Sequence, residues 1–78
     1  MKSGNNKAFA ELLQNARHQK GLSQSQTAKE LKISIKTIQH YEIGNRIPSG
    51  DTMLRIIKFF ELNNDDVLAT LEKQKKQK

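Results

Sequence analysis

The sequence predicts an all-α fold of five helices, and three features of its 78 residues support that prediction. Apolar residues recur at intervals of three and four, which is the spacing of one helix face. No segment alternates apolar and polar residues as a half-buried strand does. Residues that suit helix starts and helix ends separate the periodic segments, at Ser23, Ser34, Gly21 and Gly44.

The first two helices are predicted on either side of Gly21. Before this glycine, apolar residues fall at positions i, i+3, i+4 and i+7, namely Phe9, Leu12, Leu13 and Ala16. After it, Ser23 and Gln26 form the S-x-x-Q pattern of a capping box, which satisfies two backbone N–H groups at a helix start. This second helix is short and reaches Leu31, because Ser34 is a new N-cap.

The third helix follows a turn at residues 32–33. It is expected from Ile35 to about Ile43, where Gly44 stops it, and a loop occupies residues 45–50.

The fourth helix follows Ser49, with an apolar face formed by Met53, Ile56, Ile57 and Phe60. The fifth begins near Asn63, with Asp65 and Asp66 in its first turn, where the helix dipole favours acids. Its apolar stripe consists of Val67, Leu68 and Leu71.

Charge is divided unevenly along the chain, whose formal net charge is +6. Residues 17–58 hold eight basic and three acidic side chains, a net charge of +5. Residues 61–72 hold four acidic side chains and no basic one, a net charge of −4, and four lysines follow in residues 73–78. This division favours one face for polyanions and a separate face for another role.

The residue patterns of enzymes and metal sites are missing. The sequence has no cysteine, and neither His18 nor His40 has a second ligand three or four residues away. Asp65 and Asp66 are neighbours that point apart on a helix, and there is no glycine-rich phosphate loop. We therefore expect no enzyme activity, no metal and no cofactor.

The compartment is predicted from hydropathy and cysteine usage. No apolar run approaches the ~18 residues that a membrane helix needs, and no signal-peptide pattern follows Met1. A chain without cysteine fits a reducing environment. We expect a cytoplasmic protein that makes no membrane contact.

One face of the third helix is predicted to be polar and exposed, which makes it a candidate binding surface. Ile38 and Tyr41 mark its buried side. The opposite side carries a cation, an amide, an imidazole and a branched apolar group, from Lys36, Gln39, His40 and Ile35. The major groove of DNA admits a helix, and there an amide suits adenine, a cation suits guanine and an apolar group suits a thymine methyl. The alternative is a solvated helix face with Ile35 against a neighbouring helix.

A longer pattern, from Arg17 to Thr52, makes the interpretation specific. It reads R-x-x-K-G-L-S-Q-x-x-x-A-x-x-L-x-I-S-x-x-T-I-x-x-Y-E-x-G-x-R-x-P-S-x-x-T and continues through MLRIIKFFELNNDDVL. Over about residues 9–71 the chain resembles the Cro/CI, lambda-repressor-like helix-turn-helix family. The resemblance implies a five-helix lambda-repressor-like DNA-binding domain with the helix-turn-helix at helices 2–3. The implied parts are an N-terminal arm at 1–8, the domain at 9–72 and a basic tail at 73–78.

The resemblance also implies a set of DNA-binding residues. Gln24 resembles the family's glutamine that binds a DNA phosphate, and Thr37 and Arg46 lie where DNA-backbone contacts are common. The DNA-reading positions are Ser34, Ile35, Lys36, Gln39 and His40, of which Ile35, Lys36 and His40 are the expected base contacts. Arg17 and Glu42 match a pair that forms an internal, structural salt bridge.

Three residues depart from the family pattern. Lys32 replaces the usual turn glycine, which predicts backbone strain of about 1–3 kcal/mol if its φ is positive. Thr27 replaces a usual core leucine and Ile57 a usual alanine, so we expect these two to compensate in volume.

The function implied is a sequence-specific, double-stranded DNA-binding transcriptional regulator, expected to be a repressor of phage, mobile-element or restriction-controller type acting at the bacterial nucleoid. One helix reads few base pairs, so a homodimer on an inverted repeat is expected. The fourth and fifth helices would form its interface, through Phe59, Leu62, Val67 and Leu71. The alternative for these residues is that Phe59 packs under the fifth helix of its own chain. The alternative is a protein-interaction module, antitoxin-like or coactivator-like, with secondary DNA binding.

Overall fold

The computed structural model describes residues 6–76, and the side chains of residues 6–72. It contains five helices: α1 (Lys7–Gln19), α2 (Gln24–Leu31), α3 (Ile35–Glu42), α4 (Gly50–Phe60) and α5 (Asn64–Lys76). No strand is present in that part of the chain. The predicted all-α fold is therefore confirmed.

The core lies where α1 packs on α3 and α5, and where α2 packs on α3 and α4. Its buried side chains come from the first four helices and include Phe9, Leu13, Leu31, Ile38, Ile56 and Phe60. Each such side chain contributes about 1.5–3 kcal/mol relative to exposure in water. Since α3 contacts both α1 and α2, its position is fixed from two sides.

Side-chain caps start three of the helices. At α2 the predicted capping box is confirmed: Gln26 N–H donates to Ser23 Oγ at 3.0 Å, and Ser23 N–H donates to Gln26 Oε1 at 2.9 Å. Ser34 Oγ accepts from Thr37 N–H at the start of α3. Asn63 Oδ1 accepts from two backbone N–H groups of α5. Ser49 precedes α4 but makes no side-chain cap hydrogen bond.

Four helices are followed, one or two positions after their last residue, by a residue with left-handed backbone conformation. These residues are Gly21, Lys32, Gly44 and Glu61, with φ between 54° and 81°. In each case the next residue donates its N–H to a carbonyl five residues earlier, as in a Schellman motif. The positive φ considered for Lys32 is present at 61°. The left-handed Glu61 was not predicted, because glutamate carries no turn signal.

The structure corrects details of the fifth helix. Leu68 was predicted in its apolar stripe but is 60% exposed, whereas Val67 is 3% exposed. The helix also continues to Lys76, into the predicted basic tail. At the other end of the chain, α1 begins at Lys7, inside the predicted arm at 1–8, and residues 1–5 of that arm lie outside the described residues.

Candidate nucleic-acid interface

The two sides of α3 differ as the sequence predicts. Ile38, Tyr41 and Glu42 are buried. On the opposite side Lys36 and Gln39 are exposed. Two further residues predicted to contact DNA bases are partly exposed. Ile35 is 44% exposed, and His40 is half-buried. A helix held by one side thus presents a cation, an amide, an imidazole and an apolar group on the other.

Glu42 holds α3 to α1. Arg17 donates from Nε to Glu42 Oε2 at 2.7 Å and from Nη2 to Oε1 at 3.0 Å. Its third nitrogen, Nη1, donates to the Leu22 carbonyl at 2.9 Å. The pair is almost fully enclosed, with side-chain exposures of 11% and 3%. Because its charges cancel internally, Glu42 adds little negative charge to the exposed side of α3.

Gln24 belongs to the same network. Its Nε2 donates to Glu42 Oε1 at 3.1 Å, which ties the first turn of α2 to the end of α3. A primary amide has two N–H donors, so this bond uses only one of them. Sequence reasoning missed a further member, Gln14, whose Nε2 donates to the Glu42 carbonyl at 2.7 Å. Glutamines on separate helices give no local signal that they share one partner.

The start of α3 carries two linked hydroxyls. Ser34 Oγ and Thr37 Oγ1 are 2.8 Å apart, and Thr37 N–H also donates to Ser34 Oγ. Both lie at a helix N-terminus, where the backbone dipole favours negative charge. The two residues are thereby fixed beside the exposed side of α3.

The other end of α3 brings together His40 and the following loop. Asn45 Nδ2 lies 3.0 Å from His40 Nδ1, a contact for which the sequence contains no local signal. The backbone N–H of Arg46 donates to the His40 carbonyl at 3.3 Å, and its side chain is exposed. Burial raises the pKa of the Tyr41 phenol, and the Arg46 charge opposes that rise.

The predicted interface residues have contacts within the monomer. Val67 is buried, and Phe59, Leu62 and Leu71 are half-buried against the core. The Phe59 ring meets Phe60 edge-on at 4.9 Å, and Lys20 Nζ lies 5.4 Å from its centre. The large apolar side chains left exposed on these helices are Leu54, at 58%, and Leu68.

The described residues hold no group of three or more histidine, cysteine, aspartate or glutamate side chains that could bind a metal ion. Among them, too, no helix is both long and apolar enough to cross a membrane.

Comparison with known proteins identifies the class. A family model described as a helix-turn-helix domain matches residues 10–72, and the chain belongs to that family. Over 61 residues it is 36% identical to the HTH-type transcriptional activator BcrR of Enterococcus faecalis. That match covers 78% of this chain and 30% of the relative, so the chain spans under a third of the relative's length. No solved structure gives a significant match.

Proposed function

We propose that this chain is a sequence-specific, double-stranded DNA-binding transcriptional regulator of Cro/CI type, with α3 entering the major groove. The observation that carries the proposal is the exposed side of α3, opposite a buried side that is fixed by Arg17 and Gln24 through Glu42. A reading helix must be held rigidly, because base discrimination depends on the direction of individual hydrogen bonds. Membership of the helix-turn-helix family supports the same placement.

Base contacts are assigned by the chemistry of each exposed group. Gln39 can bond the N6 and N7 edge of adenine, and Lys36 can donate to guanine O6 and N7. Ile35, at 44% exposure, can touch a thymine methyl. His40 contributes a ring nitrogen near the end of the helix.

Phosphate contacts come from the groups around that face. Gln24 has one amide N–H left after its bond to Glu42. Ser34 and Thr37 contribute hydroxyls at the start of α3, and Arg46 contributes an exposed cation after its end. Such contacts set the position of the protein on the duplex, while base contacts set the sequence.

We propose a homodimer that binds an inverted repeat with half-sites about 34–36 Å apart. Leu54 and Leu68, rather than the buried Val67, would supply apolar contacts to this interface on α4 and α5, since both remain exposed in the monomer. Leu54→Ser and Leu68→Ser should shift sedimentation towards monomer, whereas Ile47→Ser, a comparable apolar change in the loop before α4, should not. A wild-type monomer at tens of micromolar would contradict this part of the proposal.

The direction of regulation is proposed as repression, because occupancy of a promoter blocks polymerase without any further contact. The relative BcrR is named as an activator, and the matched region is under a third of that protein. A reporter under a promoter that contains the selected site separates the two outcomes. Lower expression supports repression, and higher expression contradicts it.

The test of DNA binding is a titration of labelled duplex at several salt concentrations. Loss of a phosphate contact in Arg46→Ala should reduce the slope of log K against log salt by about 1. Lys58→Ala is the matched control, since it removes an exposed cation of α4. Equal effects of the two substitutions would show that the protein binds DNA only through its general positive charge and not through a defined interface. Tight capture of a protein partner with weak DNA binding would favour an interaction module instead.

A further inference from the structure

The end of α3 departs from the other three left-handed helix ends. In α1, α2 and α4, the residue after the left-handed position is apolar and packs against the core, a contact that frequently accompanies the motif. Those residues are Leu22, Ile33 and Leu62. At the end of α3 the same position is Asn45, which is exposed. Asn45 uses its side chain for a hydrogen bond to the His40 ring instead.

The backbone holds Asn45 in place for that bond. Its N–H donates to the His40 carbonyl at 2.9 Å, and Gly44 makes the turn with φ of 81°. The side-chain amide and the imidazole are then 3.0 Å apart, Nδ2 to Nδ1. The same two residues are therefore joined twice, once through the backbone and once through the side chains.

We propose that Asn45 is a positioning residue that fixes the neutral ring of His40 with its hydrogen on Nε2. A neutral imidazole has one donor and one acceptor nitrogen, and an amide nitrogen can only donate. Because the amide nitrogen Nδ2 of Asn45 lies 3.0 Å from Nδ1 and can only donate, we infer that Nδ1 is the acceptor and that the ring hydrogen is on Nε2. His40 then presents a donor to DNA, which pairs with purine N7, guanine O6 or thymine O4 and rejects the cytosine and adenine amino groups. This specificity rests on the proposed DNA-binding function.

The tautomer is measured directly by ¹⁵N NMR of the histidine-labelled protein, at a pH where the ring shifts no longer change. We expect the ¹⁵N chemical shift of His40 Nδ1 to be that of a ring nitrogen without hydrogen, and the shift of Nε2 to be that of a ring nitrogen that carries one. Asn45→Asp keeps the shape of the side chain and replaces the donor by an acceptor, so it should move the hydrogen to Nδ1. His18, which Asn45 does not contact, serves as the internal control. A wild-type hydrogen on Nδ1, or unchanged shifts in Asn45→Asp, would overturn the proposal.

The consequence for DNA is measured by site selection with Asn45→Ala in two backgrounds. With His40 present, this substitution should change the preference at one base position by about tenfold, the order of a lost base contact. In a His40→Ala background it should change nothing further. An equal loss at every position, or the same change without His40, would assign Asn45 a merely structural role. If the wild-type protein shows no base preference, the proposed DNA-binding function is wrong. The NMR shifts test the tautomer of His40 without DNA, so the two proposals can fail separately.

Discussion

The guanidinium of Arg17 donates to both carboxylate oxygens of Glu42, over 2.7 and 3.0 Å, although 25 residues separate them in the chain. Glu42 is the last residue of α3, and Arg17 lies near the end of α1. A bidentate pair of this kind fixes both distance and orientation. It therefore determines how α3, whose opposite side we assign to DNA, sits on the rest of the domain.

Glu42→Gln should lower the free energy of unfolding by about 3–5 kcal/mol, because it leaves the enclosed Arg17 charge without its counter-ion. Urea denaturation measures the change. The matched control is Asp51→Asn, which breaks the exposed pair of Asp51 with Arg55 and should cost less than about 1 kcal/mol. Equal losses for the two substitutions would contradict the structural role of the buried pair.

Lys32→Gly and Glu61→Gly should each raise the free energy of unfolding by about 0.5–1 kcal/mol, less than the strain that is relieved, because glycine loses more backbone entropy on folding. Both residues have left-handed backbones, with φ of 61° and 54°, that glycine adopts without steric cost. Gly21→Ala is the reverse control: its φ is 70° and a Cβ there meets nothing within 4 Å, so only conformational strain is added. Thermal melts that show stabilisation by Gly21→Ala would contradict this explanation.

Thr27→Val should stabilise the protein by about 1 kcal/mol, the low end of the cost of a buried, unsatisfied polar group. Thr27 is fully buried, and its Oγ1 has no hydrogen-bond partner in the structure. Valine has nearly the same shape without the cost of a buried, unsatisfied hydroxyl. Thr27→Ser keeps the hydroxyl and serves as the control, which should destabilise. A lower melting temperature for Thr27→Val would indicate that the hydroxyl is bonded in solution.

The expected volume compensation between Thr27 and Ile57 is tested by a double-mutant cycle. Thr27 is buried and Ile57 half-buried, on two helices that pack together. Thr27→Leu should destabilise by about 1–3 kcal/mol through overpacking, and Ile57→Ala should recover part of that loss. Additive changes in the free energy of unfolding would show that the two sites are independent.

Tyr41 should make stability fall at alkaline pH. Burial raises the pKa of its phenol above the reference value of 10.0, so the unfolded chain releases the proton first. The stabilisation is fully present below pH 10.0 and is lost as pH rises through the folded-state pKa. Tyr41→Phe should have a shallower decline in unfolding free energy above that pH than wild type. Identical slopes would contradict the assignment.

Local signals in the sequence predicted most of the fold. Ser23 and Ser34 define the starts of α2 and α3 because each caps backbone groups within three residues. Gly21 and Gly44 define two ends because glycine adopts positive φ freely. Lys32 and Glu61 adopt the same conformation although they are poor residues for it. Burial of the next residues, Ile33 and Leu62, provides the compensating packing.

Long-range relationships were harder to predict from the sequence. The outward side of α3 follows from periodicity, but the bonds of Gln14 and Gln24 to Glu42 depend on how three helices pack. The neighbours Val67 and Leu68 are equally apolar, and only the rotation of α5 on the core decides that the first is buried. Asn45 lies in a loop, where its approach to His40 follows from the Schellman turn rather than from any motif.

The most direct test of the central claim, that the exposed side of α3 reads DNA sequence, is selection from a random double-stranded DNA library at about 0.15 M salt. We predict an enriched inverted repeat with half-sites about 34–36 Å apart, and loss of preference at defined positions in Lys36→Ala. Binding without enrichment, fading smoothly as salt rises, would contradict the claim.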